Sequence, residues 1–147
     1  MALLCCGLSL ASAQSTAPLR LASTRLVTND APGLAKFYGV VTQVAPVAPF
    51  GSGTYFEIRT PGGGVLAISD QASTAKYNAN SAVAAQNRTS ILEFEVKDVD
   101  AERRRLDGVV KTWVMEPYTA LQGNRTMLFR DPDGNLINFY AVLPRKN

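Results

Sequence analysis

The 147-residue sequence has no histidine, a single tryptophan, and only two cysteines, which stand side by side at Cys5 and Cys6. These gaps exclude much chemistry. Catalytic zinc, iron and nickel sites draw on imidazole or thiolate, and here neither is available beyond the first six residues. Oxygen donors remain. They suit Mg²⁺, Ca²⁺ or Mn²⁺, but no convergent pair of carboxylates stands out. We expect no metal and no cofactor. Ser–His and Cys–His nucleophiles cannot be built. Acid–base work near neutral pH would fall to a tuned Glu, Asp, Lys or Tyr, and none has a visible partner.

Concentrated charge and long apolar runs are also missing. The net charge is +3, and Arg103-Arg104-Arg105 is the one basic run; it reads as the solvated face of a helix. Without a basic stripe interleaved with aromatics, no nucleic-acid partner is expected. No run approaches the roughly 20 apolar residues of a membrane-spanning helix. Leu3 to Ala11 form a short apolar stretch ending in Ala11-Ser12-Ala13, which fits a signal peptide over residues 1–13 cleaved after Ala13. The mature chain would start at Gln14, lack cysteine and reside in the periplasm or outside the cell. No Lys or Arg precedes the apolar stretch, so a cytoplasmic chain with an apolar extension is the alternative. Residues 19–147 suffice for one domain with a real core.

What is present repeats. A strand at Leu21–Thr28 leads through Asp30, a good N-cap, into a helix at Ala31–Val41 with Pro32 in its first turn. Strand patterns follow near Val44–Pro49, Tyr55–Thr60 and Val65–Ser69. A polar connection, Asp70 to Arg88, has an Ala-rich middle able to form a helical turn. The second set reads strand Ser90–Val96, helix Ala101–Leu106, then strands near Val110–Met115, Thr126–Arg130 and Leu136–Val142. Asp98 or Asp100 can cap its helix. Both halves are β-α-β-β-β, over residues 19–70 and 88–143. Thr60-Pro61-Gly62-Gly63-Gly64-Val65 aligns with Asp131-Pro132-Asp133-Gly134-Asn135-Leu136, two Pro-x-Gly turns in register. The expected class is α+β: two βαβββ modules related by a pseudo-twofold, with helices on one side of the sheets and a concave trough on the other.

The hairpin Phe129 to Tyr140, the Asp30…Phe37-Tyr38-Gly39 helix and the Ile91-Leu92-Glu93-Phe94-Glu95-Val96-Lys97-Asp98 strand together resemble the vicinal oxygen chelate superfamily. Its members include glyoxalases, extradiol dioxygenases and bleomycin-resistance proteins, and the resemblance runs from about Leu19 to the end. It implies metal-ligand positions at Ser23, Ala67, Ile91 and Asn138. Metal-using members carry Glu where this chain has Asn138, and none of the four residues here is His or Glu.

Alternation along strands selects trough candidates. If Ser23 faces the trough, so does Arg25; if Ile91 does, so do Glu93 and Glu95. Glu93 and Glu95 can lie at a wet rim, Glu93 can pair with Arg25 across the pseudo-twofold, or Arg25 and Glu93 can recognise a polar ligand. Trp113 and Met115 alternate with Val114, and Tyr140 shares a face with Asn138. They are core packing or a flat wall for a small, partly apolar molecule. Tyr118 to Asn124 reads as a loop able to cover such a pocket. Tyr55, Glu57 and Arg59 share a face of unassigned direction.

The resemblance implies a metal-independent small-molecule binding protein, nearest to antibiotic-sequestering relatives, which usually act as homodimers. The competing readings are a glyoxalase-like lyase or isomerase, or a dioxygenase, and a non-catalytic interaction module. The fold-level analogy alone does not separate them.

Overall fold

Two aspartates start two helices in the same way. Asp30 Oδ1 accepts from Gly33 N at 2.9 Å, and Asp98 Oδ1 accepts from Ala101 N at 3.0 Å. Each satisfies a first-turn N–H that the helix cannot. The computed structural model describes residues 19–77, 79, 81–121 and 123–144; the apolar stretch at Leu3–Ala11 and the expected cleavage after Ala13 lie outside them. Elements run β1 (Thr24–Thr28), α1 (Ala31–Thr42), β2 (Tyr55–Arg59), β3 (Val65–Asp70), α2 (Gln71–Ala75), β4 (Ile91–Glu95), α3 (Val99–Arg105), β5 (Thr112–Thr119), β6 (Asn124–Arg130) and β7 (Leu136–Val142).

The strands form two sheets, ordered β1-β3-β2 and β4-β7-β6-β5. In each module the first strand pairs parallel with the last, and every other pairing is antiparallel. The aligned turns close alike. Thr60 N donates to Gly64 O and Gly63 N to Thr60 O, just as Asp131 N donates to Asn135 O and Gly134 N to Asp131 O. Gly63 and Gly134 hold φ of 85° and 83°, a region where an L side chain is strained.

The modules differ where prolines intervene. The strand expected at Val44–Pro49 is reduced to one bridge, in which Val47 exchanges both backbone hydrogen bonds with Glu57. Pro46 and Pro49 have no N–H to extend the ladder, so the first sheet has three strands against four in the second. The helical turn expected in the Ala-rich middle forms instead at the start of that connection. There Asp70 Oδ1 accepts from Ser73 N at 2.9 Å and caps α2. Of the span expected as a loop, Tyr118 and Thr119 belong to β5 and Asn124 to β6. β5 continues through Thr119, Ala120 N donates to Asn124 O, and Gly123 turns at φ 88°.

One contiguous core joins the modules. From α1, Ala31, Leu34, Ala35, Tyr38 and Val41 descend on Leu26, Ile58, Leu66 and Ile68 of the first sheet. Helix α3 is short, and aromatics supply bulk beneath it. Ring centroids lie 5.8 Å apart for Phe94–Phe139, 5.2 Å for Phe139–Phe129 and 5.5 Å for Phe129–Trp113. Tyr38 fastens one module to the other: its fully buried hydroxyl donates to Asp131 Oδ2 at 2.8 Å. Burial and the adjacent Asp131 carboxylate push the phenol well above its ordinary pKa of 10.0. Among the described residues no helix is long and apolar enough to cross a membrane.

Candidate functional site

Each sheet buries one face in the shared core, and the opposite faces, which α2 partly covers on the first sheet, are the candidate walls of the expected trough. Strand register fixes what lines them. On the first wall Arg25, Ala67 and Glu57 form one row and Ser69 and Tyr55 belong to the next. This settles the direction of Tyr55, Glu57 and Arg59: they face the trough, opposite the buried Ile58. On the second wall one row is Glu93, Asn138, Leu128 and Met115; the next is Glu95, Tyr140, Thr126 and Tyr118.

Trp113 does not join them. Alternation puts it on the same face as Met115, but Trp113 pairs with Phe129 and Met115 with Leu128, so two steps on β5 match one on β6. That irregularity turns the indole to the helix side, where it packs on Phe129 and carries the Arg103 guanidinium 3.9 Å above its ring. Arg103 also pairs with Glu116, which holds that carboxyl below the usual range. Arg105 pairs with Glu102 and donates to the carbonyls of Val40 and Val41. The arginine run lies at the surface, with Arg104 exposed, but Arg103 and Arg105 spend their guanidinium groups on intramolecular contacts.

The four positions of the ligand pattern are chemically unlike a metal site. Ala67 is fully buried and offers only a methyl group, while Ile91, half exposed, offers an alkyl chain. Ser23 lies just before β1. The Asn138 amide is already spent: Nδ2 donates to Glu93 Oε1 at 2.9 Å and Oδ1 accepts from the Thr126 hydroxyl. Two donors at most, one of them committed, do not fit a transition metal. Among the described residues no group of three or more His, Cys, Asp or Glu is placed to hold an ion.

Arg25 and Glu93 occupy equivalent places in the two modules but make no ion pair with each other. Glu93 is taken by Asn138. Arg25 Nη1 donates to the Tyr77 hydroxyl at 3.4 Å, and its guanidinium carbon lies 5.5 Å from the Tyr55 ring centroid. Around it is a cavity of about 290 Å³ over the first wall, bounded also by Phe50, Ser69 and Thr74. Tyr55 is held by its own hydrogen bond to Glu57 Oε1 at 3.0 Å; partial burial and that carboxylate raise its pKa. Sequence reasoning missed Phe50 and Tyr77. Both are lone aromatics in Pro/Gly- or Ala/Asn-rich connections, and that isolation was the available signal. Larger openings of about 570 and 470 Å³ lie toward either end of β4, the first beside α1 and the β2–β3 turn, the second beside β1.

Paired modules whose first strands run parallel to their last, in sheets of three and four strands, define one class of α+β protein. The model of the Glyoxalase/Bleomycin resistance protein/Dioxygenase superfamily matches residues 20–139, and the chain belongs to that superfamily. Among solved structures it resembles a glyoxalase/bleomycin resistance protein/dioxygenase family enzyme from Burkholderia phytofirmans PsJN. That match has 18% identity and a TM-score of 0.74, covering 85% of this chain and all of that one. A glyoxalase/bleomycin resistance protein/dioxygenase from Nocardioides matches at 18% identity and TM-score 0.71, over 90% and 89% of the two chains. A glyoxalase-related enzyme from Fulvimarina pelagi matches at 22% and 0.69, over 83% and 87%. At such identities these structures establish the fold alone. No curated protein matches the sequence.

Proposed function

We propose that this chain binds a small molecule in its trough without a metal ion, by capture and without making or breaking bonds. The observation that carries this reading is the set of residues at the ligand pattern. A buried methyl at Ala67, an alkyl chain at Ile91 and a hydrogen-bonded amide at Asn138 replace the donors a bound ion would need. What the walls offer instead is recognition chemistry. Arg25 on the first wall, and the mutually bonded Glu93–Asn138 pair beside Leu128, Met115 and Tyr140 on the second, set polar groups next to apolar and aromatic surface, a mixture suited to small, partly apolar ligands. The protein acts as a homodimer and is exported, in this reading.

The test pairs elemental analysis of purified protein with a thermal-shift screen of single-ring aromatics and antibiotics. A binder gains RT ln(1 + [L]/Kd) of stability from each true ligand. Expected are no stoichiometric metal, at least one saturable compound, and weakened binding in Asn138→Ala or Met115→Ala. One equivalent of a divalent transition metal, retained after dialysis, would defeat the proposal. Equilibrium sedimentation checks the dimer, and N-terminal sequencing of native protein checks export.

A further inference from the structure

Arg25 differs from four of its fellow arginines. Arg59, Arg103, Arg105 and Arg125 each pair with a carboxylate. Arg25 has none within ion-pair reach among the described residues. Its contacts are a long hydrogen bond to one phenol and the face of another. Neither neutralises a guanidinium, whose planar fork of donors matches a carboxylate bidentately. The other side chains of this cavity are of two kinds. Phe50 and Tyr55 are tilted rings with centroids 5.3 Å apart, and Tyr77 also lines the cavity. Ser69 and Thr74 are hydroxyls, each 3% exposed. Thr74 Oγ1 donates to Ser69 Oγ at 3.2 Å, so the Ser69 proton is available to an acceptor in the cavity.

Glu57, in the same strand row as Arg25, is occupied by Arg59 and the Tyr55 hydroxyl, so it does not compete for Arg25. A cavity of about 290 Å³ is at the small end for ligand pockets and suits one ring with a short substituent. We infer that the cavity formed by Arg25, Tyr55, Tyr77, Phe50, Ser69 and Thr74 seats a single-ring aromatic carboxylate, its carboxylate on Arg25 and its ring among the three aromatic side chains. The site lies in the first module and the α2 connection that follows it, away from the Glu93–Asn138 row. The inference rests on the binding function proposed above and names the class of ligand.

Calorimetric titration with benzoate, its neutral counterpart benzyl alcohol, benzylammonium and acetate tests it on the full chain and on Arg25→Ala, Arg25→Lys and Tyr77→Ala. Arg25 is exposed, so its variants should fold, and circular dichroism verifies this. Benzoate should saturate one site and bind at least about tenfold tighter than benzyl alcohol, with benzylammonium weakest. Arg25→Ala should lose about tenfold or more of the benzoate affinity, the scale of a charge-assisted contact, and Arg25→Lys should recover part of it. Tyr77→Ala should weaken benzoate and leave acetate unchanged. Equal affinity for benzoate and benzyl alcohol, or a full-strength Arg25→Ala, overturns the inference. So does inorganic phosphate displacing benzoate at comparable concentration, which would mark a bare anion site. If benzoate fails while a neutral or cationic compound saturates the trough, this inference falls and the binding function stands. If nothing saturates, both fall.

Discussion

Removing the Asp131 carboxylate should unfasten the two modules from each other. Asp131 is 5% exposed and accepts four hydrogen bonds: from Tyr38 Oη at 2.8 Å, Asn135 N at 2.8 Å, Asn135 Nδ2 at 2.7 Å and Asp133 N at 3.0 Å. Hydrogen bonds to a charged group contribute about 1.5–3 kcal/mol each, and a buried donor left alone costs about 1–3 kcal/mol. In Asp131→Ala the Tyr38 hydroxyl and the Asn135 donors are stranded in the interior, while Asp133 N, nearer the surface, can turn to water. The expected loss is therefore about 3–5 kcal/mol, a large share of the 5–15 kcal/mol typical of whole domains. Tyr38→Phe removes one of the four bonds and should cost about 1.5–3 kcal/mol.

The duplication supplies an internal control. Thr60 stands where Asp131 does in the other module, but its hydroxyl only donates to Gly64 O at 3.1 Å in an exposed turn. Thr60→Ala should cost less than about 1 kcal/mol. Urea denaturation followed by the fluorescence of the single tryptophan, Trp113, measures all three, since that indole is packed on Phe129. The double variant Asp131→Ala/Tyr38→Phe should show a coupling of about 1 kcal/mol or more. An Asp131→Ala protein as stable as Thr60→Ala, or zero coupling, would refute the assignment of this turn as an inter-module fastener.

Tyr38 also predicts alkaline behaviour. With its folded pKa raised above 10.0, both states hold the proton below that pH and no slope results. Above it the unfolded state loses the proton first, so stability falls as pH climbs toward the folded value; in Tyr38→Phe that part of the slope should vanish from denaturation midpoints measured between neutrality and strong alkali. Arg103→Ala should expose the Trp113 ring, raising acrylamide quenching and red-shifting emission, while Arg104→Ala, which has no such stacking contact, should leave both unchanged. Alanine at Gly63 or Gly134 forces a side chain onto φ of 85° or 83° and should cost about 1–2 kcal/mol by thermal or urea melts. At Gly134 the added carbon also meets the Arg88 guanidinium at 3.3 Å, the far end of a flexible side chain that can yield, so the two losses should be similar.

Features written in short stretches were legible in the sequence. Asp30 and Asp98 cap helices through their own side chains three residues ahead, and the two Pro-x-Gly turns close on atoms within five residues; spacing alone reveals such geometry. The modules, their shared class and the faces of β1, β4 and β7 follow from these anchors plus a period of two. Inference fails where the period breaks. One extra residue between Trp113 and Met115 against β6 reversed the face of the indole, and no residue type in that stretch announces a bulge. The two prolines at 46 and 49 do announce a broken ladder, and the strand expected there shrank to a bridge. The Arg25 cavity was half visible. Arg25 lies on a regular strand, but its surroundings arrive from a coil at Phe50, a strand of the same sheet at Tyr55 and the turn after a short helix at Tyr77. Nothing local ties those segments together; they meet because α2 is capped by Asp70 at the very end of β3 and so is delivered onto the open face of the sheet. The cap that starts this helix is thus what roofs the cavity. Asp70→Ala, which leaves every cavity side chain in place, should loosen Tyr77 and Thr74 and weaken benzoate with little change in global stability beyond the roughly 1 kcal/mol of a lost N-cap; unchanged benzoate affinity would mean that the roof does not depend on the helix.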